Sequence, residues 1–216
     1  MANAIHIHAQ ASNPRSRRDN REAILLASCT LFARYGLAGV TFDDVARETG
    51  LTRRTIYNHF ANIDDLFTAS IRGGLQQLSA KLPAAIPVER PLDLALDRYV
   101  HDLLALFTSA RFTNVQLALV RHGPDRPLLR AAFDRMLVDP LYERFATYLR
   151  TRRVHENGGD AHRIAREIVS VVLGLTEAAR LLGRSIDETL RDVRSPAVMI
   201  ALTLATPERP PLVQVA

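Results

Sequence analysis

Residues 41–60 read TFDDVARETGLTRRTIYNHF, and their punctuation decides the fold. Thr41 is followed three residues later by Asp44. The hydroxyl can cap a free backbone N–H, and the carboxylate suits the positive end of a helix. A capping box proper carries Glu or Gln at the second position, so this is a near match. Phe42, Val45 and Ala46 share one face of the short helix that follows to Thr49. Gly50 is the residue type that ends helices. Thr52 then starts a second helix, reaching about Phe60, with Ile56 and Phe60 on one face at a spacing of four. Two short helices joined by the tight turn Thr49-Gly50-Leu51 form a helix-turn-helix pattern.

Outward from this centre the chain keeps helical periodicity. From Arg15 to Tyr35 the large apolar positions Ile24, Leu25, Leu31, Phe32 and Tyr35 form one stripe. Small residues, Ala27 and Ser28, interrupt it where another helix can approach, and Ser28 can sit on a buried face if its hydroxyl bonds the carbonyl four residues back. Cys29 borders the stripe and reads as a buried structural thiol. Downstream, Asn62 caps a longer helix to about Leu82, with Gly73-Gly74 as a kink candidate. A proline-bearing linker, Pro83–Pro91, separates this from further helices. These cover Leu92–Ser109, Phe112–Arg121, Leu128–Leu137, a fresh start at Asp139-Pro140, the long stripe Asp160–Leu182, and a last helix after Ser195-Pro196. No strand-like alternation competes, so the fold class is all-α. The organisation read here is an arm at 1–14, a three-helix helix-turn-helix domain at 15–61, and a larger helical domain at 62–216 whose first helix, 62–82, connects the two.

Composition narrows the function. The 216 residues are 47% apolar and 24% charged, ordinary for a globular chain. A lone cysteine excludes an intrachain disulfide and fits a reducing compartment. The start lacks a secretory pattern, and the longest apolar run, Pro196–Ala205, is far short of the ~20 residues a membrane span needs. Net charge is +5, and all but one of the basic residues are Arg. Acid-free clusters hold Arg15, Arg17 and Arg18, and then Arg53 and Arg54. Such clusters either meet phosphate or are solvated surface. His6 and His8 lack a third ligand, so no metal and no cofactor is expected. The motifs of serine hydrolases, zinc proteases, P-loops and dinucleotide-binding folds are absent, which argues against an enzyme.

The pattern Phe32-x-x-x-Gly36-Leu37-x-x-Val40-Thr41-Phe42-x-x-Val45-Ala46-x-x-Thr49-Gly50-Leu51-Thr52-x-x-Thr55-Ile56-Tyr57-x-His59-Phe60 resembles the DNA-binding domain of tetracycline-repressor (TetR) family transcriptional regulators. The likeness covers Arg18 to Phe67. It implies a bacterial, cytoplasmic homodimer that binds a palindromic double-stranded operator, represses transcription and is released by a small-molecule effector. It also implies that the helix from Thr52 enters the major groove, with Arg53, Arg54, Thr55 and Asn58 reading base edges. Tyr57, His59 and Thr41 are implied to meet phosphates. Tyr57 has a second reading as core, and Phe60 reads as core outright. The family usually places Lys where this chain has Ile63, and Arg15, Arg17 or Arg18 is the implied substitute for that backbone contact.

In the larger half, the resemblance implies dimerisation and effector binding. Ile168, Val172, Leu175 and Ala179, with Ile200 of the last helix, are the interface candidates; the alternative is that they fill the subunit's own core. Effector-pocket candidates are His101, Phe107, Phe112, Gln116, Phe133 and Tyr148. A DNA-organising protein of the same fold is the rival reading, and a helical enzyme is a more distant one.

Overall fold

The computed structural model describes residues 14–152 and 161–185, together with Glu188 and Arg191. The arm before Pro14, the loop at 153–160 and the helix carrying Ile200 lie outside the described residues. Every regular element among the described residues is a helix. In order these are α1 (Pro14–Tyr35), α2 (Phe42–Thr49), α3 (Arg53–Tyr57), α4 (Ile63–Ser79), α5 (Leu92–Phe107), α6 (Ala110–His122), α7 (Pro127–Phe133), a π-helical turn (Asp134–Val138), α8 (Asp139–Thr151) and α9 (Ala161–Leu182). No single one of them is long and apolar enough to cross a membrane.

Local chemistry sets the N-terminal elements. Thr41 and Asp44 form a full reciprocal capping box: Thr41 N–H and Oγ1 both donate to Asp44 Oδ2, at 2.9 and 2.6 Å, and Asp44 N–H donates to Thr41 Oγ1 at 3.3 Å. Asp thus does what Glu or Gln usually does. Gly50 caps α2 at φ 68°, the left-handed region open to glycine. Thr52 and Asn62 cap α3 and α4 by accepting from Thr55 and Asp65 N–H. The second helix of the motif is shorter than the span to Phe60 read from sequence: α3 ends at Tyr57, and Asn58–Phe60 continue as hydrogen-bonded turn.

Packing corrects several sequence expectations. Ser28 Oγ is buried without a partner, so the bond to the carbonyl four residues back is not made. Gly73-Gly74 lies within unbroken α4, and the reason for Gly74 is close approach: a Cβ there would meet Val115 Cγ2 of α6 at 2.6 Å. The break expected at Asp139-Pro140 is replaced by a continuous passage through the π turn, where Asp139 N–H donates to Asp134 O. Pro140 has no N–H to donate, and the wider turn carries the chain past it. Burial pushes the Cys29 thiol up to about 11, more than nearby Arg111 lowers it, so the sulfur is an inert core group.

The larger half closes on itself. α9 packs against α8 and α5 of the same chain. Ile168 and Val172 are each 1% exposed and Ala179 is also buried, so these interface candidates line the subunit's own core. Leu175 is half-buried against that core. The broad stripe covers its own subunit first, and the outward side of α9 presents Gly174, Ala178, Leu181 and Leu182 instead. None of the effector-pocket candidates lines a recess described here. Phe107 and Phe112 are buried with rings 4.9 Å apart. Tyr148 is buried and donates to Arg90 O at 2.7 Å. Gln116 accepts from Arg180, Phe133 packs half-buried on the core, and His101 faces solvent. A recess of about 420 Å³ lies elsewhere, between Leu78, Lys81, Arg98, Asp102, Leu106 and Arg111.

Candidate nucleic-acid interface

α2 and α3 are set against α1 by the buried side chains Phe42, Val45, Ile56 and Phe60, which join the core with Ile24, Phe32 and Phe67. With Ile56 turned inward, α3 must present its other faces to solvent. Arg53 and Arg54 are exposed there. Arg53 Nε lies 2.9 Å from Asp43 Oδ1, an exposed ion pair that ties α3 back to α2. Arg54 has no carboxylate within ion-pair distance among the described residues. The Thr52 and Thr55 hydroxyls bond each other at 2.9 Å. Tyr57 is 54% exposed while its ring stands edge-on to Phe42 with centroids 4.7 Å apart. The ring therefore supports the motif from outside, and Phe60 alone of the two is core.

The turn after α3 meets the start of α1. Arg17 and Asn20 of α1, with Thr55, Asn58 and His59, line one recess of about 330 Å³. Arg21 stacks its guanidinium over Phe60 at 5.2 Å. His59 is held below the usual imidazole range, chiefly by burial and then by Arg17 and Arg21. A polar recess lined by the Arg17 guanidinium, two Asn amides, a Thr hydroxyl and a neutral imidazole has the donors an anion needs. Arg18 is exposed on α1 but does not line this recess. Sequence reading missed Asn20 and Arg21. Their signal was the spacing of three and four from Arg17, which puts all three on one face of α1.

One expected contact is already engaged. The Thr41 hydroxyl is committed to Asp44, whose carboxyl that hydroxyl and the Thr41 N–H hold below its ordinary range. Ile63, where a Lys is usual, is half-buried and packs against the core at the start of α4. Beside it Asp64 pairs with Arg126 at 2.5 Å, and that guanidinium also lies over Phe67, 4.9 Å from the ring centre. Among the described residues no group of three or more metal-ligating side chains gathers.

The family model for bacterial regulatory proteins of the tetR family matches residues 24–69, the stretch that carries α2 and α3. An HTH-type transcriptional repressor of Mycobacterium tuberculosis, Rv3405c, is 30% identical over 132 residues, which is 61% of this chain and 56% of that protein. Residues 24–69 thus form a helix-turn-helix segment of the tetR type. The HTH-type regulator AcrR of Shigella flexneri is 27% identical over 97 residues, 44% of this chain and 45% of the relative. The chain thus spans only about half the length of these curated relatives. Solved structures extend the likeness of fold to the rest. A TetR-family regulator from Mesorhizobium loti superposes with a TM-score of 0.72 over 87% of this chain and 97% of its own, at 17% identity. A transcriptional regulator from Saccharomonospora viridis, solved with choline, gives 0.66 over 82% and 95%, at 22% identity. These neighbours share the fold, an N-terminal helix-turn-helix followed by a larger helical domain.

Proposed function

We propose that this protein is a dimeric, sequence-specific DNA-binding regulator of transcription of the tetR family, acting as a repressor that a small-molecule effector releases. The observation that carries the reading is the joint surface of α3 and α1. Thr55 and Asn58 line one recess with Arg17 and His59, and exposed Arg54 precedes Thr55 on α3, so base-reading and phosphate-binding groups adjoin. Arg bonds guanine bidentately and Asn bonds adenine, while the recess suits a backbone phosphate. One such helix makes too few contacts for specificity. Two, held one helical turn apart at ~34–36 Å, read two half-sites.

Dimerisation on α9 uses the outward side that ends in Leu181 and Leu182, which are 87% and 67% exposed. An effector acts only by preferring one arrangement of the two α3 helices over another. A neighbour of this fold was solved with choline, which supports a ligand in the larger domain without naming this chain's own. The test is selection of duplexes from a random pool by the purified protein, followed by footprinting and a promoter reporter. A palindrome, steep loss of affinity with salt and reduced reporter output are expected. Selection of no duplex would refute the reading, and protection of many unrelated sites would favour a DNA-organising role.

A further inference from the structure

α1 ends at Gly36, whose N–H closes the last turn on Phe32 O at 2.9 Å and whose φ is 75°. In the common helix ending, the N–H after such a left-handed residue also folds back onto the helix. Here it does not. Leu37 N–H donates instead to Nε2 of His122, 3.0 Å away and 85 positions along the chain. The ring of His122 stands edge-on to Phe67, with centroids 5.5 Å apart. The last residue of α6 therefore holds the backbone turn from which Thr41, α2 and α3 follow.

We propose that His122 is a positioning residue for the DNA-reading helices and holds them only as neutral imidazole, so that acid loosens them. The proposal rests on the DNA-binding reading above. An Nε2 that accepts leaves the ring proton on Nδ1, and a protonated ring has no acceptor left for Leu37. Imidazole makes that change between about pH 5 and 8. The other ties between the two halves do not. Asn114 donates to Thr30 Oγ1 at 3.0 Å, Arg121 donates to Arg34 O at 3.3 Å, and Gln77 donates to Glu22 Oε1 at 3.1 Å. These use amides, a hydroxyl, a backbone oxygen, a guanidinium and a carboxylate, whose charges are steady over that range. The charged groups tied to the ring's neighbours are Arg126, which lies over Phe67 and pairs with Asp64, Arg121, which bonds the Arg34 carbonyl, and Asp125, three positions past the ring in sequence. None of them takes over the Leu37 N–H when Nε2 is lost as an acceptor: Asp64 is engaged by Arg126, Asp125 is exposed in the turn after α6, and the arginines only donate.

The experiment compares the full chain with His122→Gln, which keeps an acceptor that cannot be protonated, and with His122→Ala, which has none. Leu37 amide protection is read by NMR hydrogen exchange, and affinity for the pool-selected duplex by fluorescence anisotropy, at about pH 7.5 and about pH 5.5, near the two ends of that range. At the higher pH the natural chain and His122→Gln should protect Leu37 alike. At the lower pH the natural chain should lose protection and affinity relative to His122→Gln by roughly two- to tenfold, the factor carried by one hydrogen bond. Any effect of His59 is common to both proteins and cancels in the ratio. His122→Ala should show the loss at both pH values. The proposal is overturned if Leu37 protection in the natural chain does not fall with acid, a measurement that needs neither variant, or if His122→Ala binds the duplex as the natural chain does. Failure to select any duplex would refute the DNA-binding reading and the affinity arm, while Leu37 exchange would still decide whether acid opens this bond.

Discussion

Arg53 and Arg54 adjoin in sequence yet should differ in what they contribute to DNA binding, because Asp43 holds only the first. The Arg53–Asp43 pair is more than half exposed on the Arg53 side and 51% on the other, with a 2.9 Å contact. An exposed pair of this kind is worth ~0.2–1 kcal/mol. Arg53 must give up that amount before it can turn to a base or phosphate, and Asp43 adds a negative charge beside the DNA. A good bidentate Arg–guanine contact is worth about 1–3 kcal/mol, or roughly 5- to 150-fold in affinity. Arg54→Ala should therefore lose most of that factor, and Arg53→Ala less. Asp43→Asn should strengthen binding by roughly 1.4- to 5-fold, the pair's own worth. The assay is anisotropy on the pool-selected duplex at one fixed salt concentration, with circular dichroism to verify folding. Weaker binding by folded Asp43→Asn, or an unchanged affinity in Arg54→Ala, would refute this division of roles.

Gly74→Ala should destabilise the chain despite the helix-propensity gain of about 1 kcal/mol, because its Cβ would lie 2.6 Å from Val115 Cγ2 and overpacking costs about 1–3 kcal/mol. Thermal melting checks this, and Val115→Ala in the same chain should recover part of the loss. Leu181→Glu with Leu182→Glu should yield monomers by light scattering, because both side chains point away from the subunit core; an intact dimer would reject that side of α9 as the interface. Asp44, held below the ordinary carboxyl range by Thr41, binds its proton later in the folded chain than in the unfolded one. Its stabilisation is complete above the unfolded value and fades as pH falls through the lower folded one. Asp44→Asn should flatten that acid limb of the melting profile.

The helix-turn-helix was legible because its determinants are local. Thr41 with Asp44, Thr52 with Thr55 and Asn62 with Asp65 each act across three residues, and Gly50 acts on its own backbone. A chain with those residues at those spacings starts and stops its helices there whatever packs around it. The acid-free clusters marked Arg17 and Arg54 as candidates, and the family resemblance marked Thr55, Asn58 and His59. Only the tertiary structure brought Arg17 to one recess with Asn58 and His59, engaged Arg53 with Asp43, and set His122 against Leu37. Only it decided that Ile168 and Val172 face inward and Leu181 outward, since periodicity defines a stripe but not what covers it. Capping follows from bond geometry within a turn. Which distant groups meet follows from how whole helices fill a shared core, and that depends on every side chain in it at once.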